Sequence, residues 1–284
     1  MQTILILGSN GQLGSDLQLI FNQSNLNYIP FKRSDFDCLT DNLENIIGPL
    51  KSNIIINCIA TTNVDACELN SANAFLINSD FSYRLAMFCN KNQITLFHIS
   101  TDYIFSGDKN GTYSELDNPN PLNIYGLSKL AGDIAVHNYC NKHYIFRVSS
   151  LFGRAGASGK GGNFITTIQR LARERDSISV IANQYTCPTA TLDIARAIKY
   201  FIINDIQDYG IYNCVSSTSC SWYDFAKQII MLSNLDLGKL NQADFNTYSF
   251  KARRPQNVIL SIDKISKYYQ MQSWQDSLKE YFFV

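Results

Sequence analysis

The chain is poor in the residues from which metal and disulfide proteins are built. Its 284 residues include only 3 histidines (His98, His137, His143), and its 8 cysteines are scattered without one Cys-x-x-Cys. No zinc-ligand spacing and no disulfide framework follow from that distribution. No metal site is expected, and the cysteines read as small buried hydrophobes of a reducing, cytoplasmic protein. Net charge is missing as well: 24 basic residues balance 24 acidic ones, with a pI near 6.8. That removes the electrostatic case for nucleic acid or an anionic membrane as a partner. No apolar run approaches the ~18 residues of a membrane span. The run from Ile4 to Leu7 is also too short for the apolar region of a signal peptide. With 45% hydrophobic and 17% charged residues, the remaining class is an ordinary globular protein of one large or two small domains.

Strand and helix patterns alternate from the start. Thr3 to Leu7 reads as a buried strand, and Gly8-Ser9-Asn10-Gly11-Gln12-Leu13-Gly14 follows at once. Leu13, Leu17, Ile20 and Phe21 then mark one helical face. A strand, a glycine turn and a helix opening form the context in which glycines let the backbone approach a pyrophosphate at a helix N-terminus. The spacing here is Gly-x-x-Gly-x-x-Gly. A second strand, Asn27 to Phe31, ends at Lys32-Arg33-Ser34-Asp35. At such a place an acid holds a ribose hydroxyl and a cation accommodates a 2′-phosphate. Lys32 and Arg33 favour NADP(H), with NAD(H) left open by Asp35 and Asp37. An acidic helix is expected from Asp41 to Leu50, a two-faced strand from Asn53 to Ala60, a helix from Ser71 to Cys89 and a strand from Ile94 to Ile99. His98, inside that strand, reads as a hydrogen-bonded core residue. The expected dinucleotide contacts are Gly8, Gly11, Gln12, Leu13 and Gly14; Arg33, Asp37 and Cys38 after the second strand; and Ile59, Ala60 and Thr61 after the third. This alternation predicts an α/β, Rossmann-like, doubly wound parallel sheet.

The strand ending at Ile99 runs into Ser100-Thr101-Asp102-Tyr103-Ile104-Phe105, and a Gly/Asn/Asp/Pro-rich loop from Ser106 to Pro121 delivers the chain to Tyr125-Gly126-Leu127-Ser128-Lys129. Residues four apart on a helix share a face, so Tyr125 and Lys129 can address one point. A free phenol titrates near 10, and a unit charge about 4 Å away at an effective dielectric of ~20 is worth about 4 kcal/mol. Lys129 is therefore expected to pull the phenol towards neutrality. The Tyr-x-x-x-Lys pattern occurs three times, also at Tyr28/Lys32 and Tyr223/Lys227. The first contains Pro30, which disfavours a helix; the third reads as a packed Tyr and a solvated Lys on an amphipathic helix. Only Tyr125/Lys129 follows a strand that ends in adjacent hydroxyls. The later run Gly153 to Gly162 is no P-loop, because Arg154 stands where the first glycine belongs and Gly161 where Ser or Thr belongs. It reads as a mobile segment over the substrate.

With these residues in hand, the chain resembles the extended short-chain dehydrogenase/reductases, and within them the dTDP-4-dehydrorhamnose reductase branch. The likeness is carried by Gly11-Gln12-Leu13-Gly14, Thr62-Asn63-Val64-Asp65-Ala66-Cys67-Glu68, Ser100 to Phe105, Pro121 to Gly132, Gly162-Asn163-Phe164, Cys187-Pro188-Thr189 and Ala252-Arg253-Arg254-Pro255. The resemblance implies hydride transfer from a reduced nicotinamide to the C4 ketone of a nucleotide-linked 6-deoxy sugar. It implies Tyr125 as proton donor, Lys129 as ribose ligand and modulator of the phenol, and Thr101 as a hydrogen-bond partner of the same oxygen. Thr101, Asp102, Ser150, Asn163, Arg253 and Arg254 are then the expected substrate contacts, the two arginines through a nucleotide diphosphate. Tyr103 stands where the related dehydratases carry a Glu, which disfavours dehydration.

One departure concerns the sugar. The branch usually reads Thr-Ser-Trp after the returning strand, and this chain has Val148-Ser149-Ser150. Two alternatives stay open: a reductase or epimerase of another nucleotide sugar, and a non-catalytic dinucleotide-binding regulatory subunit. A dinucleotide-binding domain over 1–150 and a mostly substrate-binding domain over 151–284 are expected, with segments near 178–215 returning to the first sheet. A homodimer is left open.

Overall fold

A computed structural model describes residues 2–156 and 162–283. At its centre are β1 (Ile4–Leu7), β2 (Tyr28–Phe31), β3 (Ile54–Asn57), β4 (Thr95–Thr101), β5 (His143–Val148) and a late strand, Gly210–Asn213. They form a six-stranded sheet in the order Gly210–Asn213, β5, β4, β3, β1, β2, and every pairing is parallel. The strand sequences explain the layering. In β1, Ile4 and Ile6 join one core with Leu13, Leu17 and Phe21, while Leu5 and Leu7 join another with Ile55, Leu85 and Leu96. A strand apolar at every position is what a sheet covered on both faces requires.

Helix α1 (Gln12–Gln23) buries Leu13, Leu17, Ile20 and Phe21, the stripe read from the sequence. The chain runs from β1 to β2 on one side and then to β3 on the other. That order puts a topological switch point at the carboxyl end of β1, where open α/β sheets bind their ligands. Helices α2 (Phe81–Lys91) and α3 (Ile124–Tyr139) cover one face.

Two expected helices are shorter or more broken than anticipated. The helix placed from Asp41 to Leu50 runs only over Leu43–Ile46, and Gly48–Leu50 is a 3-10 turn; Gly48-Pro49 breaks it, since proline has no amide hydrogen to donate. Ahead of α2, Asn63 and Asn70 each cap a short helix, Val64–Leu69 and Ser71–Phe75, and Leu76–Asp80 is a single π-helical turn.

The remaining residues add α4 (Phe164–Glu174), β6 (Ile178–Ile181), α5 (Thr191–Ile203), β7 (the late strand Gly210–Asn213), α6 (Trp222–Leu232), β8 (Leu240–Ala243) and α7 (Trp274–Phe283), of which α4, β6, α6, β8 and α7 build a second core. Phe152, Ile165, Ile168, Phe225, Ile229, Trp274 and Leu278 pack together there. Of the segments expected to return to the first sheet, β7 pairs with β5 and α5 shares the core of α1 through Ile194, Ile198 and Phe201. β6 does not return; it pairs with β8 instead. Tyr28 lies in a strand and Tyr223 on α6, so neither decoy pair meets the sheet as Tyr125 does. The glycine-rich segment expected over the substrate has its centre, 157–161, outside the described residues.

Candidate active site

Four chain segments reach the carboxyl edge of the sheet together. The first is the glycine turn. Gly8 has φ +75, and a Cβ on Gly14 would lie 2.5 Å from the Gly8 carbonyl oxygen and 2.7 Å from Ser9 Cα. Only glycine lets helix α1 start so close to β1. Gly11 precedes helix α1 as a cap position that offers no side chain, and the first turn carries no acid, so its open amides suit an anion such as a pyrophosphate. Gln12 and Leu13 are buried in that first turn. The second segment follows β2. There Arg33 is exposed and pairs with Asp37 at 3.1 Å. The Leu39 amide, followed by Arg33, holds the Asp37 carboxyl below its usual range. Cys38 is buried and accepts a hydrogen bond from Arg84 at its carbonyl.

The third segment is Ile59-Ala60-Thr61, beyond β3. It is clamped by Asn78, which is fully buried in the π-helical turn. Asn78 accepts from the Thr61 amide at 2.9 Å and donates to the Thr61 carbonyl at 3.1 Å and to Ser128 Oγ at 3.0 Å. The fourth segment is β4 with the turn after it, against which α3 is seated. A Cβ on Gly126 would meet the Tyr103 carbonyl oxygen at 2.1 Å, so the residue after Tyr125 must be glycine for the two to touch. Asn123 caps α3, accepting from Gly126 N at 2.8 Å, and its amide donates to the Arg253 carbonyl at 2.8 Å. Glu68 accepts from the Ile124 amide at 2.8 Å.

These contacts put the half-buried Tyr125 ring edge-on to Tyr103, with 5.7 Å between centroids. Thr101 is hydrogen-bonded to the Tyr125 phenol, and its hydroxyl also donates to Asp102 Oδ1 at 3.1 Å. The expected pull of Lys129 on the phenol is not what the structure shows. Removal from water raises the Tyr125 pKa, Asp102, Tyr103 and Cys67 raise it further, and the Thr101 hydrogen bond offsets them only in part. Lys129 is 2% exposed and turned inward, donating to the Ile99 carbonyl at 2.7 Å, with His98 Nε2 at 3.3 Å. Burial pulls its ammonium down to about 8, against the attraction of Asp133.

His98 is a core residue, as read from the strand. Asn57 accepts from the Ile59 amide, so its NH2 faces His98 Nδ1 at 3.3 Å. That leaves the ring proton on Nε2, 3.5 Å from Asp133 Oδ1. Burial, followed by the Lys129 charge, pulls the His98 pKa down to about 4. Asp133 also accepts a 2.5 Å hydrogen bond from Ser100.

Beside Tyr103 opens a cleft of about 310 Å³ whose lining includes Phe164, Trp222, Tyr248, Phe250 and Arg254. Its size and its aromatic walls with a few polar groups fit a small-molecule site. The Arg254 guanidinium pairs with Asp65 at 2.9 Å and lies against the Tyr103 and Phe250 rings, with Nη1 buried and unpartnered. The two arginines do not act as a matched pair: Arg253 is exposed and contributes its carbonyl to Asn123. Nor does Asn163 face the cleft. It caps α4 by accepting from Thr166 N at 3.1 Å and donates to the Gly153 carbonyl at 2.9 Å. Ser150 adopts φ +45 with its hydroxyl 2.5 Å from Thr186 Oγ1. Asn78 and Asp133 were not singled out in the sequence, and Glu68, Asn123 and Phe164 lay within quoted motifs without an assigned role. Asn123 alone carried a usable signal, as a cap residue opening an apolar-periodic stretch.

A family model described as the RmlD substrate binding domain matches residues 1–283. The chain belongs to this RmlD family. Among its relatives, the dTDP-4-dehydrorhamnose reductase of Aggregatibacter actinomycetemcomitans is 35% identical over 98% of this chain and 98% of its own length. The reductase of the same name from Escherichia coli K12 is 34% identical over 97% of this chain and 95% of that protein. A crystal structure of a dTDP-4-dehydrorhamnose reductase from Clostridium acetobutylicum superimposes with TM-score 0.92 at 33% identity, covering 99% of this chain and 98% of that one. The Bacillus anthracis enzyme, solved in complex with NADP, gives 0.91 at 34% identity over 99% of both chains. The fold of this chain thus recurs in a dTDP-4-dehydrorhamnose reductase crystallised with NADP.

Proposed function

We propose that this RmlD-family chain is a dTDP-4-dehydrorhamnose reductase-type enzyme, reducing the C4 ketone of a nucleotide-linked 4-keto-6-deoxy sugar with NAD(P)H. One observation carries the reading: the Tyr125 phenol is hydrogen-bonded to Thr101 and its ring meets Tyr103, which lines the cleft, while the glycine turn after β1 lies at the same carboxyl edge of the sheet as Thr101. Gly8, Gly11 and Gly14 with the open amides of α1 suit the pyrophosphate of the dinucleotide. Ile59-Ala60-Thr61 line the switch point, and Arg33 suits a 2′-phosphate. A reduced nicotinamide supplies the hydride when bound.

Tyr125 Oη holds the proton that the nascent alkoxide takes, and its raised pKa keeps it protonated until that demand arises. Thr101 fixes the direction of the phenol, and Lys129 is placed one helical turn from it. Arg254 and the aromatic walls suit the nucleotide diphosphate end of the substrate. The intact Thr101, Tyr125 and Lys129 argue against a regulatory subunit, because a pure binder needs no proton donor.

Polysaccharide precursor synthesis in the cytoplasm fits this reading, and buried thiols such as Cys89, Cys187 and Cys214 suit a reducing compartment. Exposed Leu76, Tyr83 and Met87 beside Leu127 and Ile134 favour self-association as a homodimer, which light scattering checks: a monomer at high micromolar concentration rules it out. The activity is tested with a panel of nucleotide-linked 4-keto sugars, following NADPH and NADH oxidation separately. Tyr125→Phe is expected to bind dinucleotide normally and to lose on the order of a hundredfold or more in kcat. Unchanged turnover in that variant excludes the mechanism, and no wild-type turnover across the panel favours the regulatory reading.

A further inference from the structure

Asp102 is a carboxyl only 4% exposed, with hydroxyls on both of its oxygens. Oδ1 accepts from Thr101 at 3.1 Å and Oδ2 from Ser149 at 2.6 Å. The string continues: Ser149 Oγ lies 2.8 Å from Thr186 Oγ1, which lies 2.5 Å from Ser150 Oγ. Thr101 is bonded to Tyr125 at the other end. Ser150, the far terminus, is half-buried and thus open to water, whereas Ser149 and Thr186 are buried. Every hydroxyl in this string both donates and accepts, so each can pass one proton on while receiving another. Hydroxyls beyond what a turn cap needs, strung between the proton donor and solvent, call for a use.

We propose that Asp102 is the proton store behind Tyr125, and that Ser149, Thr186 and Ser150 are positioning residues through which it is refilled from water. The proposal rests on the reductase reading of the same site. In one turnover the ketone carbon gains a hydride, two electrons from the reduced nicotinamide, and the ketone oxygen gains the Tyr125 Oη proton. The phenolate then takes the Thr101 hydroxyl proton, and Thr101 takes the proton of the Asp102 carboxyl. Asp102 regains a proton from Ser149, Ser149 from Thr186, Thr186 from Ser150, and Ser150 from solvent. One solvent proton is consumed and every hydroxyl ends as it began.

The setting of Asp102 suits storage. The titratable groups that face it are Tyr103 and Tyr125 on one side and Cys187 on the other, each held in its neutral form by a raised pKa. Burial is the largest influence on Asp102 and pushes its carboxyl up to about 6 in spite of the Ser149 and Thr101 hydrogen bonds. A buried acid of that kind holds its proton at a pH where an exposed one has lost it.

The decisive variants are Thr186→Val, which cuts the string without touching Tyr125, Thr101 or Asp102, and Thr186→Ser, which keeps the hydroxyl. Thr186→Val is expected to lower kcat on the order of tenfold, with both KM values unchanged and a larger solvent deuterium isotope effect on kcat. Thr186→Ser is expected to restore wild-type values, and Ser149→Ala serves as a second cut should the valine variant misfold. Independently of turnover, pH-difference infrared spectra of the ligand-free protein are expected to contain a protonated-carboxyl band that titrates near pH 6 and is absent from Asp102→Asn. Wild-type kcat and isotope effect in both cut variants overturn the relay, as does a spectrum lacking that band. A protein that turns over no 4-keto sugar yet displays the band refutes the reductase reading and leaves the stored proton standing.

Discussion

Gly126→Ala puts one methyl group where α3 meets the turn after β4. The added Cβ would sit 2.1 Å from the Tyr103 carbonyl oxygen, 2.9 Å from its carbon and 3.1 Å from Pro121 Cβ. Non-bonded carbon and oxygen need somewhat over 3 Å, so helix and turn must separate by about 1 Å. Both carry the proposed chemistry: Tyr125 directly precedes the substituted residue, and Thr101 directly precedes the turn. Overpacking of this kind costs about 1–3 kcal/mol, and the better helix propensity of alanine returns up to about 1 kcal/mol of it. The expected net loss of stability is therefore about 0–2 kcal/mol, a Tm change of a few degrees. Misplacing reacting groups by about 1 Å costs on the order of a hundredfold in rate. The variant should thus stay folded, bind the dinucleotide and lose about two orders of magnitude in kcat. Gly48→Ala is the control, since its nearest neighbour would be Glu44 Oε2 at 3.8 Å. The comparison needs thermal melts, dinucleotide titration and steady-state rates for both. A Gly126→Ala enzyme with turnover within twofold of wild type refutes the claim that this contact sets the phenol's position.

Arg254→Gln removes the cation from the cleft while keeping a polar side chain. A charged hydrogen bond is worth about 1.5–3 kcal/mol, so KM for the nucleotide sugar should rise about tenfold to a hundredfold with little change in kcat; an unchanged KM would take Arg254 out of the binding site. The pH dependence of stability reports on Asp102. Its carboxyl rises from 3.8 to about 6 on folding, so between those values the native state binds the extra proton. The contribution is complete below pH 4 and is lost as pH rises through 6, an interval worth up to about 3 kcal/mol. Urea titrations of wild type and Asp102→Asn should therefore converge or cross as pH rises over that range, and parallel curves would contradict the buried-acid assignment.

Periodicity and turn chemistry made the first half of the fold legible. Ile4 to Leu7, Ile54 to Ile56 and Phe97 are apolar on both faces because the sheet is covered on both faces, and the glycine turn follows from backbone sterics at Gly8 and Gly14. The segments that escaped are those in which side-chain caps compete with helix continuity. Asn63 caps a short helix that was not expected ahead of Asn70, and the π-turn that buries Asn78 interrupts the helix expected from Ser71 with no sequence period to announce it. The electrostatics of the site escaped for a different reason. Spacing placed Tyr125 and Lys129 on one face, but the ammonium follows the Ile99 carbonyl and His98, partners that only the folded sheet supplies. Asn163 and Arg253 match the family motif in sequence, and in space one caps a helix and the other offers its carbonyl.

The Asn123 amide joins two parts of the chain 130 residues apart. One end of that small group closes the first turn beneath Tyr125, and the other grips the strap that carries Arg254. Slackening of the strap would cost the phenol's own helix one tether, with the Glu68 contact to the Ile124 amide remaining. On the proposed reading, the strap that would hold the substrate's diphosphate and the helix that would aim the proton therefore share one tether, and a change at either end reaches the other through it.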